Sequence, residues 1–224
     1  MIVIPGDLIG ELDKGKFSGD YYSKNGKIFS KYISLLEKKG INNKLTSLCG
    51  VYMPRKDDLV IGKVIDVYPN GWLIDINSPY TGFLLTKEAT EKFIDVSKDD
   101  LNDIYTYGDF LVAKITNVMK NKIINLTTKE KGLGKLSGGI VISISPKKIP
   151  RVIGKNSSMI NNIKNILELE IVVGQNGRIW LKGKDRKSEI LAIKAIKMIE
   201  KYSHCKRLTD NIKRFLEKNK NAEI

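Results

Sequence analysis

Cysteine and histidine are nearly absent from this chain of 224 residues. It holds two cysteines, Cys49 and Cys205, and one histidine, His204. Two cysteines so far apart form neither a disulfide framework nor a Cys-x-x-Cys zinc knuckle, and one histidine cannot build a histidine metal site. His204 follows a helical pattern, where a surface histidine is expected rather than a catalytic one. We therefore expect no metal and no cofactor.

Long apolar runs are missing as well. No segment reaches the length of a transmembrane helix, and the chain does not open with a basic, apolar and then small-residue leader. We expect a cytoplasmic protein with no membrane partner. The sequence also shows no carboxylate cluster suited to two metal ions and no activated nucleophile, so we expect no catalytic residues and no enzyme activity.

Positive charge is abundant and unevenly distributed. The formal net charge is +14; residues 134–224 hold 20 Lys and Arg against 8 Asp and Glu, whereas residues 55–133 hold 11 against 12. A protein this basic usually meets a polyanion, and nucleic acid is the first candidate. The alternative is a basic protein that is merely soluble. The middle segment has no excess of charge, so it must bind phosphate through individually placed residues.

The length suits two or three domains, and four glycines within residues 131–139 indicate a boundary. Residues 1–54 predict a small β-rich domain, although the run at 28–40 fits a helix or a strand equally well. Residues 55–133 predict a five-stranded OB-fold barrel with an acidic, helix-like stretch after its third strand.

Within the predicted barrel, Pro69-Asn70-Gly71 is a strong hairpin signal, and a second turn is expected at 119–121. Strict alternation places Trp72 on the same face as Ile74 and Ile76, so Trp72 is predicted to lie in the core.

Residues 134–205 predict a β-α-α-β-β-α domain, and residues 206–224 predict a basic C-terminal helix capped by Thr209 or Asp210. We expect this helix to dock on the protein or to contact RNA. Asn176-Gly177 predicts a type I′ hairpin turn, and Gly174 just before it suggests close backbone packing. Trp180 in the following strand is predicted to fill the core or a domain interface.

The loop Gly154-Lys155-Asn156-Ser157 lies between the first two helices of this domain. A Gly-x-x-Gly loop at this place lets the main chain approach phosphates closely. Ser157 carries a Cβ atom that hinders this approach, although its hydroxyl can cap the next helix. Two interpretations stay open: modest phosphate contact supported by Arg151 and Lys155, or a purely structural turn.

The predicted barrel offers a second set of candidates. Barrels of this type bind single strands with basic and aromatic side chains on the open sheet face. Tyr68 and Tyr80 could stack on bases, although a tyrosine near a turn is more often structural. The candidates for phosphate contact are Lys63, Lys114, Lys120 and Lys122.

Together these motifs resemble the RNA-binding cap subunits of the archaeal exosome that carry an S-one domain and a KH domain. The most specific one is Gly174-Gln175-Asn176-Gly177, the Gly-x-Asn-Gly signature of this KH subtype. The other matching segments are VIPGDLI, GDFLVAKI, KGLGKLSGG, PRVIGK with SMI, and GQNGRIW.

The resemblance implies an N-terminal β domain that helps dock on the ring, an S-one OB-barrel near its entrance pore, and a KH domain. The Gly-x-Asn-Gly segment would be structural and pack KH against S-one. Three caps would sit on a hexameric phosphorolytic ring and pass single-stranded RNA into it, with no nuclease chemistry of their own.

This chain departs from the family pattern in two places. Ser157 replaces the closing KH glycine, and Asn70, Leu73 and Leu85 stand where many S-one domains carry stacking aromatics and a histidine. We then expect RNA binding through contacts between lysines and phosphates. Such binding depends little on the RNA sequence and weakens as the salt concentration rises.

Two alternatives share parts of this domain set. One is a free-standing RNA-binding protein of translation or ribosome assembly, which would not need residues 1–54 for docking. The other is a phosphorolytic nuclease, in which KH and S-one domains follow in the opposite order behind a catalytic core that this sequence lacks.

Overall fold

The computed structural model describes residues 1–90, 100–203 and 208–221. They form two compact units, Met1–Val51 and Tyr52–Ile224. The predictions for His204 and Cys205, and for the middle of the acidic stretch, lie outside the described residues. No helix in the described part of the chain is long and apolar enough to cross a membrane.

The N-terminal unit consists of short strands in two sheets, ordered β1-β6-β7-β3 and β2-β5-β4. Its strands are β1 Ile2–Val3, β2 Leu8–Glu11, β3 Lys16–Ser18, β4 Tyr21–Lys24, β5 Lys27–Ser30, β6 Ser34–Lys39 and β7 Asn42–Ser47. The ambiguous run at 28–40 is therefore strand. Alternate residues such as Ile28 and Ser30 are buried, as expected for strands that pack on one face.

The barrel consists of five strands, as predicted. They are β8 Leu59–Tyr68, β9 Gly71–Asp75, β10 Gly82–Leu85, β11 Phe110–Val118 and β12 Ile124–Thr127. The sheet closes because β12 pairs in parallel with β10 and antiparallel with β11, which in turn pairs with β8. Trp72, Ile74 and Ile76 are fully buried, which confirms the predicted core face.

Three short elements flank the barrel. Helices α1 Thr86–Ala89 and α2 Leu101–Ile104 lie at the two described ends of the acidic stretch that follows β10. Strand β13, Gly134–Lys135, pairs with β11 at the glycine-rich boundary.

The C-terminal part has the predicted β-α-α-β-β-α order. Its elements are β14 Ile140–Ser143, α3 Ile149–Ile153, α4 Ser158–Leu167, β15 Glu170–Val173, β16 Arg178–Lys182, α5 Arg186–Lys201 and α6 Leu208–Asn221. The antiparallel sheet β14-β16-β15 packs against the helices around Ile163, Ile179 and Ile196.

Helix α6 docks on this core. Leu208, Ile212 and Leu216 are spaced at helical intervals, are all buried, and belong to the same apolar cluster as α4 and α5. The predicted cap is wrong: Thr209 and Asp210 lie inside the first turn, because the buried stripe already begins at Leu208.

Candidate nucleic-acid interface

The hairpin loop between β15 and β16 differs from the predicted type I′ turn. Gly177 has a positive φ of 87°, but Asn176 does not, and a type I′ turn needs positive φ at both positions. The Gly177 amide donates to the Gly174 carbonyl (3.2 Å), and the Gly174 amide donates to the Arg178 carbonyl (2.9 Å). This pattern is that of a tight turn followed by a left-handed glycine.

Asn176 joins the hairpin loop to the barrel. It is fully buried, and its Nδ2 donates to the carbonyls of Ile61 (2.8 Å) and Ile76 (2.9 Å). Its Oδ1 accepts from the Ile61 amide (3.3 Å), and its own carbonyl accepts from Nδ2 of Asn77 (2.8 Å). The side chain thus satisfies buried main-chain groups of β8 and of the segment after β9.

The glycines and Gln175 allow this close approach. A Cβ atom on Gly174 would lie 2.4 Å from Asn176 Oδ1 and 2.9 Å from the Ile61 amide nitrogen. The Gln175 amide donates to the Leu59 carbonyl (2.8 Å). The Gly-x-Asn-Gly segment therefore lies directly against the barrel, and a residue larger than glycine has no space at position 174.

Arg178 adds an ion pair to the same junction. Its Nη1 donates to the main-chain carbonyl of Asp75 (2.6 Å), and its Nη2 contacts the Asp75 carboxylate. Burial opposes ionisation of that carboxyl, but the hydrogen bonds from Arg178 and Asn77 outweigh burial and hold the pKa of Asp75 below its ordinary value.

An apolar contact completes the junction. Trp180 packs with Ile61 and Val112 of the barrel, and its Nε1 donates to the Gly138 carbonyl (2.8 Å). The prediction that Trp180 fills a domain interface is confirmed. Because these contacts are buried and hydrogen-bonded, the barrel and the KH domain form one unit.

Two of the four candidate lysines on the barrel are engaged by other side chains. Lys63 is paired in register with Asp75 and Phe110, and its Nζ lies 5.8 Å from the Phe110 ring centre. Lys114 lies 2.8 Å from Glu130 and 3.7 Å from Asp57, and the hydrogen bond to Glu130 raises the pKa of Lys114. The ion pairs offset the charge of Lys114, and the Phe110 ring holds Lys63 against the barrel surface.

Lys120 and Lys122 are placed differently. Both are exposed in the turn between β11 and β12, and neither forms an ion pair with a described residue. Lys122 Nζ lies 5.6 Å from the Tyr80 ring centre, so a cation and an aromatic face adjoin at this turn. Of the barrel lysines, these two are best placed to contact phosphate.

The sequence reasoning missed Phe83. It is half-buried on the outer face of β10, opposite Leu73, and its ring centre lies 6.2 Å from that of the exposed Tyr68. The two rings offer a stacking surface where Asn70, Leu73 and Leu85 carry no aromatic ring. Alternation was the available signal, since Gly82 and Leu84 point inward and Phe83 therefore outward.

The KH loop is built on left-handed backbone. Gly154 has φ 75°, Asn156 has φ 51° and Ser157 has φ 60°. A Cβ atom on Gly154 would lie 2.8 Å from the Cβ atom of Met159, so glycine is required there. Ser157 precedes α4 but makes no side-chain cap hydrogen bond, so the predicted capping role is wrong. Its left-handed conformation directs the residue away from the usual cap geometry.

The charges around this loop are partly engaged as well. Arg151 Nε donates to the Ser203 carbonyl (2.7 Å), and Lys148 Nζ donates to the Glu200 carbonyl (2.8 Å) at the end of α5. Both groups thereby satisfy carbonyls at a helix C-terminus. Lys155 and Asn156 are exposed, which leaves Lys155 as the loop's own cation.

Among the residues that the structure describes, no group of three or more His, Cys, Asp or Glu side chains could hold a metal ion. The lysine turn and the KH loop offer positive charge, and the Tyr68–Phe83 pair offers aromatic faces. These are the ordinary means of holding a single strand.

Known proteins resemble this chain along most of its length. Residues 139–187 match the family described as KH domain. The chain is 40% identical over 218 residues to the exosome complex component Rrp4 of Thermococcus kodakarensis, with 96% of this chain and 84% of that protein covered. It is 40% identical over 224 residues to the Rrp4 of Pyrobaculum aerophilum, with 99% and 94% covered.

A solved structure agrees with these relatives. It is a crystal structure with the provisional description of an exosome complex RNA-binding protein, and it is 33% identical to this chain. The match covers 78% of this chain and all of that one, with a TM-score of 0.73.

Proposed function

Because the chain belongs to the Rrp4 family of exosome complex components, we propose that it is a non-catalytic RNA-binding cap subunit of an archaeal exosome. It recruits single-stranded RNA and passes it to a phosphorolytic 3′-to-5′ exoribonuclease ring. The observation that carries this proposal is 40% identity over 218 residues, which cover 96% of this chain, to an exosome complex component.

The RNA-binding part of the proposal rests on the joined barrel and KH domain. The barrel presents Lys120, Lys122 and the Tyr68–Phe83 pair, and the KH domain presents Lys155 in a strongly basic segment. Each contact alone is weak, so three copies around one ring would bind RNA by avidity. Binding of this kind weakens with salt and depends little on the sequence of the RNA.

The ring-docking part of the proposal is supported by the surface of Met1–Val51. Eleven large hydrophobic residues are exposed in this small unit, against seven in the described residues of Tyr52–Ile224. Ile2, Ile4 and Ile41 are each more than half exposed. Exposed apolar residues are more frequent here than in the rest of the described chain, and we propose that they contact the ring.

Size-exclusion chromatography with light scattering tests the assembly directly. The purified chain is mixed with the phosphorolytic ring subunits, and we expect a complex of three chains per six ring subunits. The complex should retain RNA that the ring alone releases. A chain that stays monomeric beside the ring yet binds RNA would instead support the free-standing RNA-binding protein.

We also propose that the protein acts in the cytoplasm.

A further inference from the structure

The exposed face of α5 carries charge of one sign only. Six residues of this helix are exposed, and they are Arg186, Lys187, Ile190, Lys194, Lys197 and Lys201. At 3.6 residues per turn they lie within an arc of about 100°. All except Ile190 are cations, and we call these five the basic row. The opposite side of the helix packs in the KH core through its buried residues, Ala192, Ala195, Ile196 and Ile199.

The acidic residues of α5 are directed away from the basic row. Glu189 and Glu200 are half-buried beside the exposed face. Glu189 Oε1 accepts from the Gly183 amide (3.0 Å), and Glu200 Oε1 accepts from the Ser145 amide (2.8 Å). Neither acid pairs with a cation of the row, and no cation of the row forms an ion pair with any residue that the structure describes. The row therefore presents its positive charge to solvent.

Helix α6 of the same domain gives the contrasting case. Its exposed face carries both signs of charge, with Asp210, Lys213, Arg214, Glu217 and Lys218. Lys213 pairs with Glu217 at a spacing of four residues (3.8 Å), as is usual for a solvated helix.

The basic row lacks such pairs and places like charges side by side. Lys197 lies one turn from Lys194 and one turn from Lys201, and like charges at these spacings destabilise a helix. A polyanion bound along α5 would offset this repulsion, because each lysine would then face an opposite charge. The pattern of α5 is therefore that of a binding face, whereas the pattern of α6 is that of a solvated one.

The chemistry of the row suits a phosphate backbone. Its first and last cations, Arg186 and Lys201, are about 22 Å apart along the helix axis at 1.5 Å per residue. A lysine ammonium is a compact point charge, and contacts of such groups with phosphates position a nucleic acid without reading its bases. The row therefore offers a straight, rigid line of contacts that carries no sequence preference.

The exposed face of α5 favours a duplex over a single strand. Single strands are held by stacking their bases on aromatic side chains, and none of the six exposed residues is aromatic. Tyr202 lies just beyond α5, and its ring centre is 5.4 Å from Lys201 Nζ. Duplex RNA keeps its bases stacked inside and is recognised by shape, through phosphates and 2′-hydroxyls. It also concentrates two phosphate chains along one axis, which strengthens its attraction to a row of cations.

The end of the basic row adjoins the helix that leads into the KH loop. Lys148 Nζ donates to the Glu200 carbonyl, and Arg151 Nε donates to the Ser203 carbonyl. Arg151 belongs to α3, which ends immediately before Gly154. A single strand that leaves the KH loop therefore has a duplex-binding face close to its path.

We propose that the exposed face of α5 binds the phosphate backbone of an RNA duplex that adjoins the single-stranded tail held by the barrel and the KH loop. The inference rests on the proposed function, because it names the structured part of an RNA whose 3′ tail enters the ring. It also gives a role to positive charge of residues 134–224 that the KH loop does not use.

The test compares two labelled RNAs by fluorescence anisotropy with the full-length chain. One is a hairpin with a single-stranded 3′ tail, and the other is the same tail alone. We expect the wild-type chain to bind the tailed hairpin about tenfold more tightly. Lys194→Ala with Lys197→Ala should weaken binding of the tailed hairpin about fivefold and lower the slope of its salt dependence by about two. The same variant should bind the tail alone as the wild type does.

Lys213→Ala with Lys218→Ala is the matched control. It removes the same charge from the same domain, but from the mixed face of α6. All four positions are exposed on helices, where alanine is favourable, so neither double variant should lower the melting temperature. We expect the control to bind both RNAs nearly as the wild type does. The α5 variant should still form the complex with the ring subunits.

The outcomes separate this inference from the proposed function. Equal binding of the two RNAs by the wild-type chain, or an equal loss in the α6 control, overturns the duplex site and leaves the cap proposal standing. An α5 variant that loses affinity equally for both RNAs would show a single-strand contact, and one that loses only the ring would show a protein contact. Either result also overturns the duplex site. Failure of the wild-type chain to bind either RNA, alone or on the ring, overturns the proposed RNA-binding function itself.

Discussion

The barrel and the KH domain differ in how their charge relates to RNA contact. Residues 55–133 hold 11 basic and 12 acidic residues, and residues 134–224 hold 20 and 8. Yet the barrel keeps Lys120 and Lys122 exposed in one turn, with Lys122 near the Tyr80 ring, whereas Arg151 and Lys148 of the KH domain satisfy carbonyls at the end of α5. We therefore propose that net charge attracts RNA to the KH region and that individually placed side chains hold it on the barrel.

Breaking the junction between the two regions should have the largest effect. Asn176→Ala would remove the Asn176 hydrogen bonds to the buried main-chain groups of Ile61 and Ile76, and the Ile61 carbonyl would keep only the longer contact from Arg178 Nη1 (3.3 Å). We expect it to lower the free energy of unfolding of the barrel–KH unit by about 3 kcal/mol. Denaturant unfolding followed by circular dichroism measures this. Gln175→Ala should lie within about 0.5 kcal/mol of wild type, and an unchanged Asn176→Ala transition would contradict the role of the junction.

Removing the placed lysines should be the largest effect on RNA affinity. We expect Lys120→Ala with Lys122→Ala to weaken binding of single-stranded RNA about tenfold and to make the salt dependence shallower. Filter binding at several salt concentrations measures both. Lys114→Ala is the control, because its charge is already paired with Glu130 and Asp57. An equal loss of RNA affinity in Lys114→Ala would show that total charge, and not the position of each lysine, determines binding.

The aromatic pair sharpens the same comparison. We expect Tyr68→Ala to weaken RNA binding about fivefold, which corresponds to the loss of one base stacked on an aromatic side chain. Tyr68→Phe keeps the ring and should bind as wild type does. If Tyr68→Phe is as weak as Tyr68→Ala, the hydroxyl matters and stacking is not the mode.

Reversing the charge of the KH loop should have a smaller effect on affinity. We expect Lys155→Glu to weaken RNA binding about threefold, less than the double change in the barrel turn, because screened contacts of one exposed charge are modest. Competition against the same labelled strand gives both values in one assay. The reverse order of the two effects would make the KH loop the main contact.

Acidification should have the smallest effect. The pKa of Asp75 is held below its ordinary value of 3.8, so its ion pair with Arg178 stabilises the folded state above that pH. This stabilisation is lost as the pH falls through the lowered pKa. Melting curves between pH 5 and strongly acidic conditions should show that Asp75→Asn removes part of the pH dependence. If Asp75→Asn keeps the full pH dependence of the wild-type melting temperature, Asp75 does not contribute to that dependence.

Sequence reasoning was most successful where local patterns determine the structure. Alternation and the Pro69-Asn70-Gly71 turn predicted the barrel strands, and Trp72 is buried with Ile74 and Ile76 as expected. The order of elements in the KH domain followed from the switch between strand and helix periods. These signals lie within a few residues of each other, so no distant contact is needed to read them.

The remaining features depend on contacts between distant parts of the chain. Lys114 looked available because Glu130 lies sixteen residues away and its pairing requires the closed barrel. The turn at Gly177 was misassigned because Asn176 is held by β8 rather than by its own hairpin. Ser157 does not form the predicted cap hydrogen bond to α4, because its backbone is left-handed. The domain boundaries and the RNA-contacting residues stay predictions.

The two tryptophans give the folded chain two separate optical probes. Trp72 lies inside the barrel and Trp180 lies at its junction with the KH domain, and both indole N–H groups are hydrogen-bonded to carbonyls. Tryptophan emission shifts to longer wavelength when the ring meets water, because water relaxes around the excited state. The tryptophan emission of a Trp72→Phe chain would then come only from the junction and that of a Trp180→Phe chain only from the barrel. The spectra of the two variants together can distinguish separation of the domains from unfolding of the barrel.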